Sequence, residues 1–176
     1  MRRAAKAVNF GIVYGISSFG LSQQLGIPRS QSEAYIRSYF ERYAGVKTFI
    51  DSTIAEVRRT GVTRTLHGRE RPIPDINTRN PNSRGFAERT AVNTPLQGTA
   101  ADLIKLAMIR IDTKLQAEKW KSAMLLQVHD ELVFEAPPEE VDVLRTLVKE
   151  TMEGVYPLAV PLVADTGTGD NWRDAK

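Results

Sequence analysis

Apolar residues recur at steps of three and four between residues 30 and 60, the spacing of one buried face of an α-helix. We expect an interruption of this helix near Gly45. Residues 2–15 are ambiguous, because their alanine-rich start favours a helix whereas their second half could also form a strand. We predict a helix there, and a short second helix from Ser18 to Gly26, where the glycine ends it.

The middle of the chain combines a strand pattern with a long helical one. Residues 61–80 predict a hairpin with an irregular second arm, since β-branched residues give way to prolines. A helical region is predicted over residues 82–118. Within it, Pro95 either kinks the helix or opens a new one with Thr94 as its N-cap.

The clearest strand pattern covers residues 123–134, where two apolar arms flank His129 and Asp130. This predicts a β-hairpin with those two residues at or near its tip. Pro138 is expected to open a last helix, and residues 162–164 to form a returning strand. Because helices and hairpins alternate without βαβ units, the fold class is predicted to be α+β, with an antiparallel sheet packed on helices.

Charge is distributed unevenly along the chain. Residues 1–89 hold 15 Lys and Arg against 7 Asp and Glu, a net charge of +8, whereas residues 90–176 hold 9 against 14, a net charge of −5. A basic half suits an anionic partner, although two differently solvated surfaces would give the same pattern.

Composition narrows the possible sites and locations. The chain has no cysteine and two histidines, which excludes disulfides, thiolate sites and a histidine-rich zinc site. No apolar run reaches the ~18 residues of a membrane span, so we expect a cytoplasmic protein with no membrane partner.

The predicted first helix carries chemistry on one face. Arg2, Lys6, Phe10 and Tyr14 step by four residues and therefore share an arc of that helix. Arginine and lysine grip phosphate oxygens, and an aromatic ring stacks on a nucleobase, so the face suits a nucleoside triphosphate. The alternative is an ordinary helix with its aromatic rings in the core and its cations in water.

Asp130 and Glu131 follow an apolar strand, where carboxylates are usually avoided. Carboxylate oxygens are the ligands that Mg²⁺ prefers in phosphoryl transfer, often shared between two ions. Adjacent strand residues point to opposite faces, so the two cannot easily hold one ion as a pair, and a further carboxylate is required from elsewhere. A turn with ordinary polar residues is the alternative.

A third candidate group lies on the second long helix. Arg89, Asn93 and Gln97 step by four residues on one face. One arginine and two amides suit contacts with phosphates or with minor-groove acceptors. A solvated polar stripe would show the same spacing.

Three blocks of the sequence resemble motifs of the family A DNA polymerases, the group of bacterial DNA polymerase I. Residues 2–15 resemble the motif B helix, residues 94–102 a second family block, and residues 127–131, Gln-Val-His-Asp-Glu, motif C. The resemblance runs in order over essentially the whole chain. It implies template-directed DNA synthesis from dNTPs on a primer–template, with Mg²⁺ and release of pyrophosphate.

The resemblance also implies roles for single residues. Arg2 and Lys6 would bind the triphosphate, and Lys6 would protonate the departing pyrophosphate as a catalytic group. Phe10 would pack against the incoming sugar and base and reject dideoxynucleotides. Tyr14 would bind the nucleotide and guard the template side of the new pair, in contact with DNA.

For the hairpin and the long helix the implied roles are catalytic and DNA-binding. Asp130 would ligate the metal and act in catalysis with Glu131, while His129 would bind the nucleotide near the primer terminus. Contacts with DNA are implied for Arg89, Asn93, Gln97 and Gln127.

The family's motif A strand, with its second metal-ligating aspartate, is expected upstream of Arg2. Residues 1–80 are then part of the fingers subdomain, and residues 81–176 the C-terminal part of the palm. A two-metal site would be half present, and the upstream polymerase portion would be a required partner. We therefore expect the isolated chain to be inactive, and a module that only binds DNA or nucleotides is the alternative.

Overall fold

A computed structural model of the protein describes residues 2–175, without the side chains of residues 2–4, 6 and 7. The chain forms two compact units, Met1–Thr99 and Ala100–Lys176. The first unit contains α1 (Arg2–Val13), α2 (Ser18–Leu25), α3 (Arg29–Arg42), α4 (Ala44–Thr60), β1 (Val62–Arg64), β2 (Glu70–Pro72), a 3-10 turn (Pro74–Asn77) and the start of α5 (Pro81–Ala117). The second unit contains the rest of α5, then β3 (Ala123–Val128), β4 (Glu131–Glu135) and α6 (Val141–Glu153).

The first two helices form as the sequence predicts. The ambiguous segment is helical as α1, which confirms the choice of helix over strand. In α2 the Ser17 hydroxyl accepts a hydrogen bond from the Gly20 N–H at 3.1 Å, so it serves as the N-cap. Gly26 ends α2 at φ 65°, in the left-handed region that glycine adopts without strain.

The long helical stripe is broken at Tyr43, two residues before the predicted glycine. Tyr43 has φ −117° and ψ 59°, and its N–H donates to the Tyr39 carbonyl at 2.8 Å to close α3. Its ring packs against Tyr39 with the ring centroids 4.8 Å apart. Gly45 lies in the first turn of α4, so the helix is interrupted near this glycine, as predicted, but at Tyr43.

The first unit combines a short hairpin with a core that lies between helical segments. β1 and β2 pair antiparallel with Val62 opposite Pro72 and Arg64 opposite Glu70, which confirms the predicted hairpin. The buried core consists of Val57, Ile73, Ile76, Ala87 and Ala91. α4, the 3-10 turn and α5 thus bury apolar residues against one another.

α5 continues through Pro95 as one helix. The Thr94 hydroxyl donates to the Thr90 carbonyl at 2.7 Å, a contact back into the preceding turn. Thr94 is therefore not an N-cap, and the alternative in which Pro95 opens a new helix is wrong.

In the second unit a hairpin packs on two helices. β3 and β4 pair antiparallel, with Val128 opposite Glu131 and a register shift between Met124 and Leu126. The buried core comprises Ile111 and Leu115 of α5 with Leu144 and Val148 of α6, and the side chains that pack against it include Met124, Leu132 and Phe134. These two antiparallel sheets with helices confirm the α+β class.

Two predictions for the C-terminal part are wrong. α6 begins at Val141, three residues after Pro138, because the carboxylate of Glu140 binds backbone N–H groups before β3 and keeps residues 138–140 in turns. Residues 162–164 form no strand within the described part of the chain. The Ala164 N–H donates to the Glu153 carboxylate at 3.0 Å, so a side chain and not a strand ladder ties this segment to α6.

No helix in residues 2–175 combines the length and apolar character needed to cross a membrane. The predicted division at residue 80 into fingers and palm parts stays a prediction, because compactness does not identify a subdomain.

Candidate functional site

Two exposed aromatic rings stack at the C-terminal end of α1, with Phe10 in the helix and Tyr14 in the turn directly after it. The rings of Phe10 and Tyr14 are 6.2 Å apart between centroids and inclined by 21°. Phe10 is 50% exposed and Tyr14 is 38% exposed, so the alternative in which these rings fill the core is wrong for this unit. Flat, accessible rings of this kind can take up a nucleobase or sugar by stacking.

Arg2 and Lys6 lie in the helical backbone of α1, but their side chains are outside the described part of the structure. Their predicted contacts with a triphosphate, and proton donation by Lys6, therefore stay predictions.

The hydroxyl of Tyr39 on α3 secures α1. It donates a hydrogen bond to Oδ1 of Asn9 at 2.9 Å. Burial, with a smaller contribution from Tyr43, raises the pKa of Tyr39 above its ordinary value, so the phenol stays protonated and able to donate. Ile12 adds apolar contact, since it is 2% exposed. The aromatic face thus belongs to a helix that is held in place.

Just after α1, the backbone of Gly15 lies close to the side chain of Arg89 on α5. Gly15 has φ +79°, and a Cβ built there would lie 2.9 Å from Cγ of Arg89. Any larger residue would be strained and would displace the arginine. The sequence alone did not predict Arg89 as the neighbour of Gly15, because the two residues lie on different elements.

A cleft of about 180 Å³ lies beside this contact. Tyr14 lines this cleft together with Gly15 and Arg89, so the structure brings together an aromatic and a cationic residue that were predicted on separate helices. The full lining is Val13, Tyr14, Gly15, Ile50, Ile54, Gly85, Glu88, Arg89 and Val92.

Arg89, Asn93 and Gln97 form what we call the polar stripe of α5. Arg89 and Gln97 are exposed, whereas Asn93 is half-buried. The Oδ1 atom of Asn93 is buried without a hydrogen-bond partner among the described residues. An acceptor in this state can take up a donor from a ligand or from water.

The hairpin of β1 and β2, which we call the first hairpin, supports α5 beside the polar stripe. Arg71 donates to the Thr94 hydroxyl at 3.3 Å, and Arg69 donates to the Gly98 carbonyl at 3.0 Å. The Leu66 N–H donates to the Thr99 hydroxyl at 3.0 Å. Local sequence patterns give these arginines no role, because their partners lie more than 20 residues away.

The hairpin of β3 and β4, which we call the second hairpin, presents its polar tip to solvent. His129 has φ 54°, so its backbone makes the reversal, and the Gln127 side chain donates to the His129 carbonyl at 2.7 Å. His129, Asp130 and Glu131 are all exposed. The structure confirms that His129 and Asp130 form the tip. The side chain of Gln127 is bound within the turn through its hydrogen bond to His129.

Glu140 fixes the base of the second hairpin. Its carboxylate accepts hydrogen bonds from the Lys121 N–H at 3.1 Å and from the Ser122 N–H at 2.9 Å, and also from the Ser122 hydroxyl at 2.5 Å. The Ser122 hydroxyl, followed by these N–H groups and the charge of Lys121, lowers the pKa of Glu140 below its ordinary value. β3 therefore starts from an anchored point.

The predicted magnesium site is not complete within the described residues. No group of three or more His, Asp or Glu side chains among them is close enough to hold a metal ion. Asp130 offers one hard oxygen ligand of the type that Mg²⁺ takes, but one ligand does not make a site. Further ligands would have to come from outside the described residues.

Comparison with known proteins gives one consistent result. A model of the DNA polymerase family A matches residues 1–174. The chain is 55% identical over 175 residues to DNA polymerase I of Lactococcus lactis subsp. lactis, covering 99% of this chain and 20% of that protein. It is 54% identical to DNA polymerase I of Bacillus subtilis, covering all of this chain and 20% of the relative. The thermostable DNA polymerase I of Thermus aquaticus is 51% identical over the whole chain and 21% of its own length.

A solved structure agrees with these relatives. The POL domain of Pol1 from M. smegmatis, in complex with a DNA primer-template and dNTP, superposes with a TM-score of 0.94 at 42% identity. The match covers 99% of this chain and 31% of that one. The chain thus spans about a fifth of the length of the curated relatives it matches.

Proposed function

Because the chain belongs to the family A DNA polymerases, we propose that it supplies part of the nucleotide site and part of the catalytic centre for template-directed DNA synthesis. In that reaction a primer 3′-hydroxyl attacks the α-phosphorus of a dNTP, and the bond to pyrophosphate breaks. The observation that carries the proposal is the match to the family over residues 1–174, which includes both the aromatic face of α1 and the tip of the second hairpin.

In the proposed reaction α1 binds the incoming nucleotide. Phe10 and Tyr14 offer stacked, exposed rings for the base and sugar, with Tyr14 beside the template. Arg2 and Lys6, placed four residues apart on the same helix, grip the triphosphate, and Lys6 gives a proton to the departing pyrophosphate.

The polar stripe and the second hairpin contact the DNA in this proposal. Arg89, exposed at the cleft beside Tyr14, binds a phosphate, and Asn93 and Gln97 contact groove acceptors or phosphates. Gln127 and His129 hold the turn that carries Asp130. Asp130, with Glu131 beside it, is the one carboxylate that we assign as a ligand for Mg²⁺, an ion that would neutralise charge on the phosphates.

The partners in this proposal are a primer–template, dNTPs and the upstream portion of a polymerase. The M. smegmatis structure was determined with a DNA primer-template and dNTP. We further propose that the protein acts in DNA replication or repair in the cytoplasm. Residues 1–80 would belong to the fingers subdomain and residues 81–176 to the palm.

The test is a graft. This chain replaces the matching segment of B. subtilis DNA polymerase I, which is 54% identical to it, and primer extension is measured on a primer–template. We expect extension by the graft. Asp130→Asn should lower the rate at least ~10²-fold, the scale for losing one group that stabilises charge in a transition state. Since Asp130 is exposed, urea unfolding should be nearly unchanged.

Two results would contradict the proposal: a folded graft that binds primer–template without extending it, or full extension by the Asp130→Asn graft. The first result would favour a module that only binds DNA or nucleotides, whereas the second would show that Asp130 is not a required metal ligand. That alternative uses the rings of α1 and the charge of Arg89, but it leaves the exposed carboxylates of the second hairpin without a role.

A further inference from the structure

Pro95 leaves one carbonyl of α5 without its helical donor. In an α-helix the N–H of each residue donates to the carbonyl four residues earlier, and proline has no N–H. The carbonyl affected is that of Ala91, a residue with no exposed surface. A buried carbonyl without a donor is costly, because water cannot replace the missing hydrogen bond.

The hydroxyl of Thr63 occupies this position. Thr63 is the central residue of β1 and is 3% exposed. Its Oγ1 donates to the Ala91 carbonyl at 2.9 Å. A side chain of the first hairpin thus replaces the hydrogen-bond donor that Pro95 lacks in α5.

The turn of α5 that Thr63 stabilises, residues 91–95, lies between the first and the last residue of the polar stripe. Arg89 and Asn93 come before Pro95 and Gln97 comes after it, so the spacing of the three side chains depends on residues 91–95 staying helical. We propose that Thr63 is a positioning residue, whose hydroxyl keeps this turn helical and so sets the register of the polar stripe on DNA. The effect on DNA rests on the proposed function, whereas the replacement of the hydrogen bond does not.

A double-mutant cycle on the 176-residue chain tests the hydrogen bond. Thr63→Val removes the hydroxyl at nearly constant shape and should raise the equilibrium constant of unfolding about tenfold, the scale for leaving one buried acceptor unpaired. In a Pro95→Ala background the new N–H can donate to the Ala91 carbonyl. There the same change should raise the constant by about threefold or less. Thr63→Ser keeps a donor and should retain most of the stability.

Thr99→Val is the matched control. Thr99 is a buried threonine that also joins the first hairpin to α5, but its hydroxyl accepts from Leu66 and does not involve Pro95. Its cost should therefore be the same with Pro95 and with alanine at that position. Equal costs of Thr63→Val in both backgrounds would overturn the proposal. If Thr63→Val does not fold, recovery of folded protein in the double variant supports the proposal, and failure to recover overturns it.

The effect of Thr63 on DNA binding is measured with the B. subtilis graft, as the affinity for a labelled primer–template followed by fluorescence anisotropy. We expect Thr63→Val to weaken binding several-fold, with recovery in Thr63→Ser and in the double variant with Pro95→Ala. Equal binding by the parent graft and by Thr63→Val would show that the hydroxyl does not position the stripe. If the parent graft binds no duplex, the proposed function fails, while the unfolding cycle still decides whether Thr63 replaces the lost hydrogen bond.

Discussion

Both hairpins of this protein are antiparallel pairs of strands, but they place their polar side chains differently. In the first hairpin, Thr63, Arg69 and Arg71 direct their polar groups at the backbone or hydroxyls of α5. In the second hairpin, Asp130 and Glu131 are exposed at or beside the tip. The first hairpin thus engages polar side chains with the helix that it braces, whereas the second carries exposed carboxylates at or beside its tip.

The two hairpins are also fixed at different places. The first is held along its length, from Thr63 in β1 to the Leu66 N–H in the connecting loop. The second is held at its base, where Glu140 binds Lys121 and Ser122, and by apolar side chains that include Met124 and Phe134. We therefore expect the first hairpin to respond most strongly where it contacts α5, and the second to respond more weakly to a change at its base.

The largest effect is expected where the first hairpin touches α5 most closely. A Cβ at position 98 would lie 2.6 Å from Cγ2 of Thr65, a short, stiff side chain that is 6% exposed. The Thr65 hydroxyl accepts from the Arg69 N–H at 3.2 Å, so the methyl group cannot turn away without losing that contact. Gly98→Ala should therefore lower the free energy of unfolding by about 1–3 kcal/mol, measured by urea denaturation.

Gly45→Ala is the control for that change. Gly45 lies in the first turn of α4, and a Cβ there would have nothing within 4 Å. The substitution should stabilise the chain by up to ~1 kcal/mol, because alanine favours a helix over glycine. If both substitutions destabilise equally, the close contact between the first hairpin and α5 is not what limits position 98.

Local sequence patterns predicted the elements of both hairpins, but not their uses. Two apolar arms located the second hairpin, and the polar pair between them located its tip at His129 and Asp130. The bracing of α5 was not predicted, because the bond from Thr63 joins residues 28 positions apart and threonine has no pattern that indicates a partner. The start of α6 was misplaced for a similar reason, since a tertiary contact of Glu140 overrides the local signal of Pro138.

A smaller effect is expected at the entry to the second hairpin. α5 ends in a Schellman motif, in which the Trp120 N–H donates to the Leu115 carbonyl and the Lys119 N–H to the Gln116 carbonyl. Lys119 has φ 55°, which costs a side chain with a Cβ more than it costs glycine. Lys119→Gly should therefore raise the free energy of unfolding by ~0.5–1 kcal/mol.

The matched change for this position is Lys105→Gly, at an exposed site in the interior of α5. There glycine should lower the free energy of unfolding by ~1 kcal/mol, because glycine is a poor helix former and position 105 has an ordinary helical backbone. Loss of stability in Lys119→Gly would mean that the lysine side chain contributes more at the helix end than its backbone strain costs.

The smallest effect is expected from protonation at the base of the second hairpin. The folded-state pKa of Glu140 is lowered, so its contribution to stability is fully present above the ordinary glutamate pKa of 4.5 and is lost as the pH falls through the folded value. Glu140→Gln removes this titration. The difference in free energy of unfolding between the protein and this variant, measured in urea, should be constant near neutral pH and shrink below pH 4.5.

Glu139→Gln separates a hydrogen-bonded anchor from a surface ion pair. The pKa of Glu139 is also lowered, by its hydrogen bond to Lys121 first, and the pair lies 2.9 Å apart with both side chains exposed. Salt at about 0.5 M screens such a pair, so the effect of Glu139→Gln should nearly vanish. The effect of Glu140→Gln should persist in salt, because its carboxylate binds backbone N–H groups and the buried Ser122. Equal sensitivity to salt at both positions would mean that the second hairpin is held at its base by charge alone.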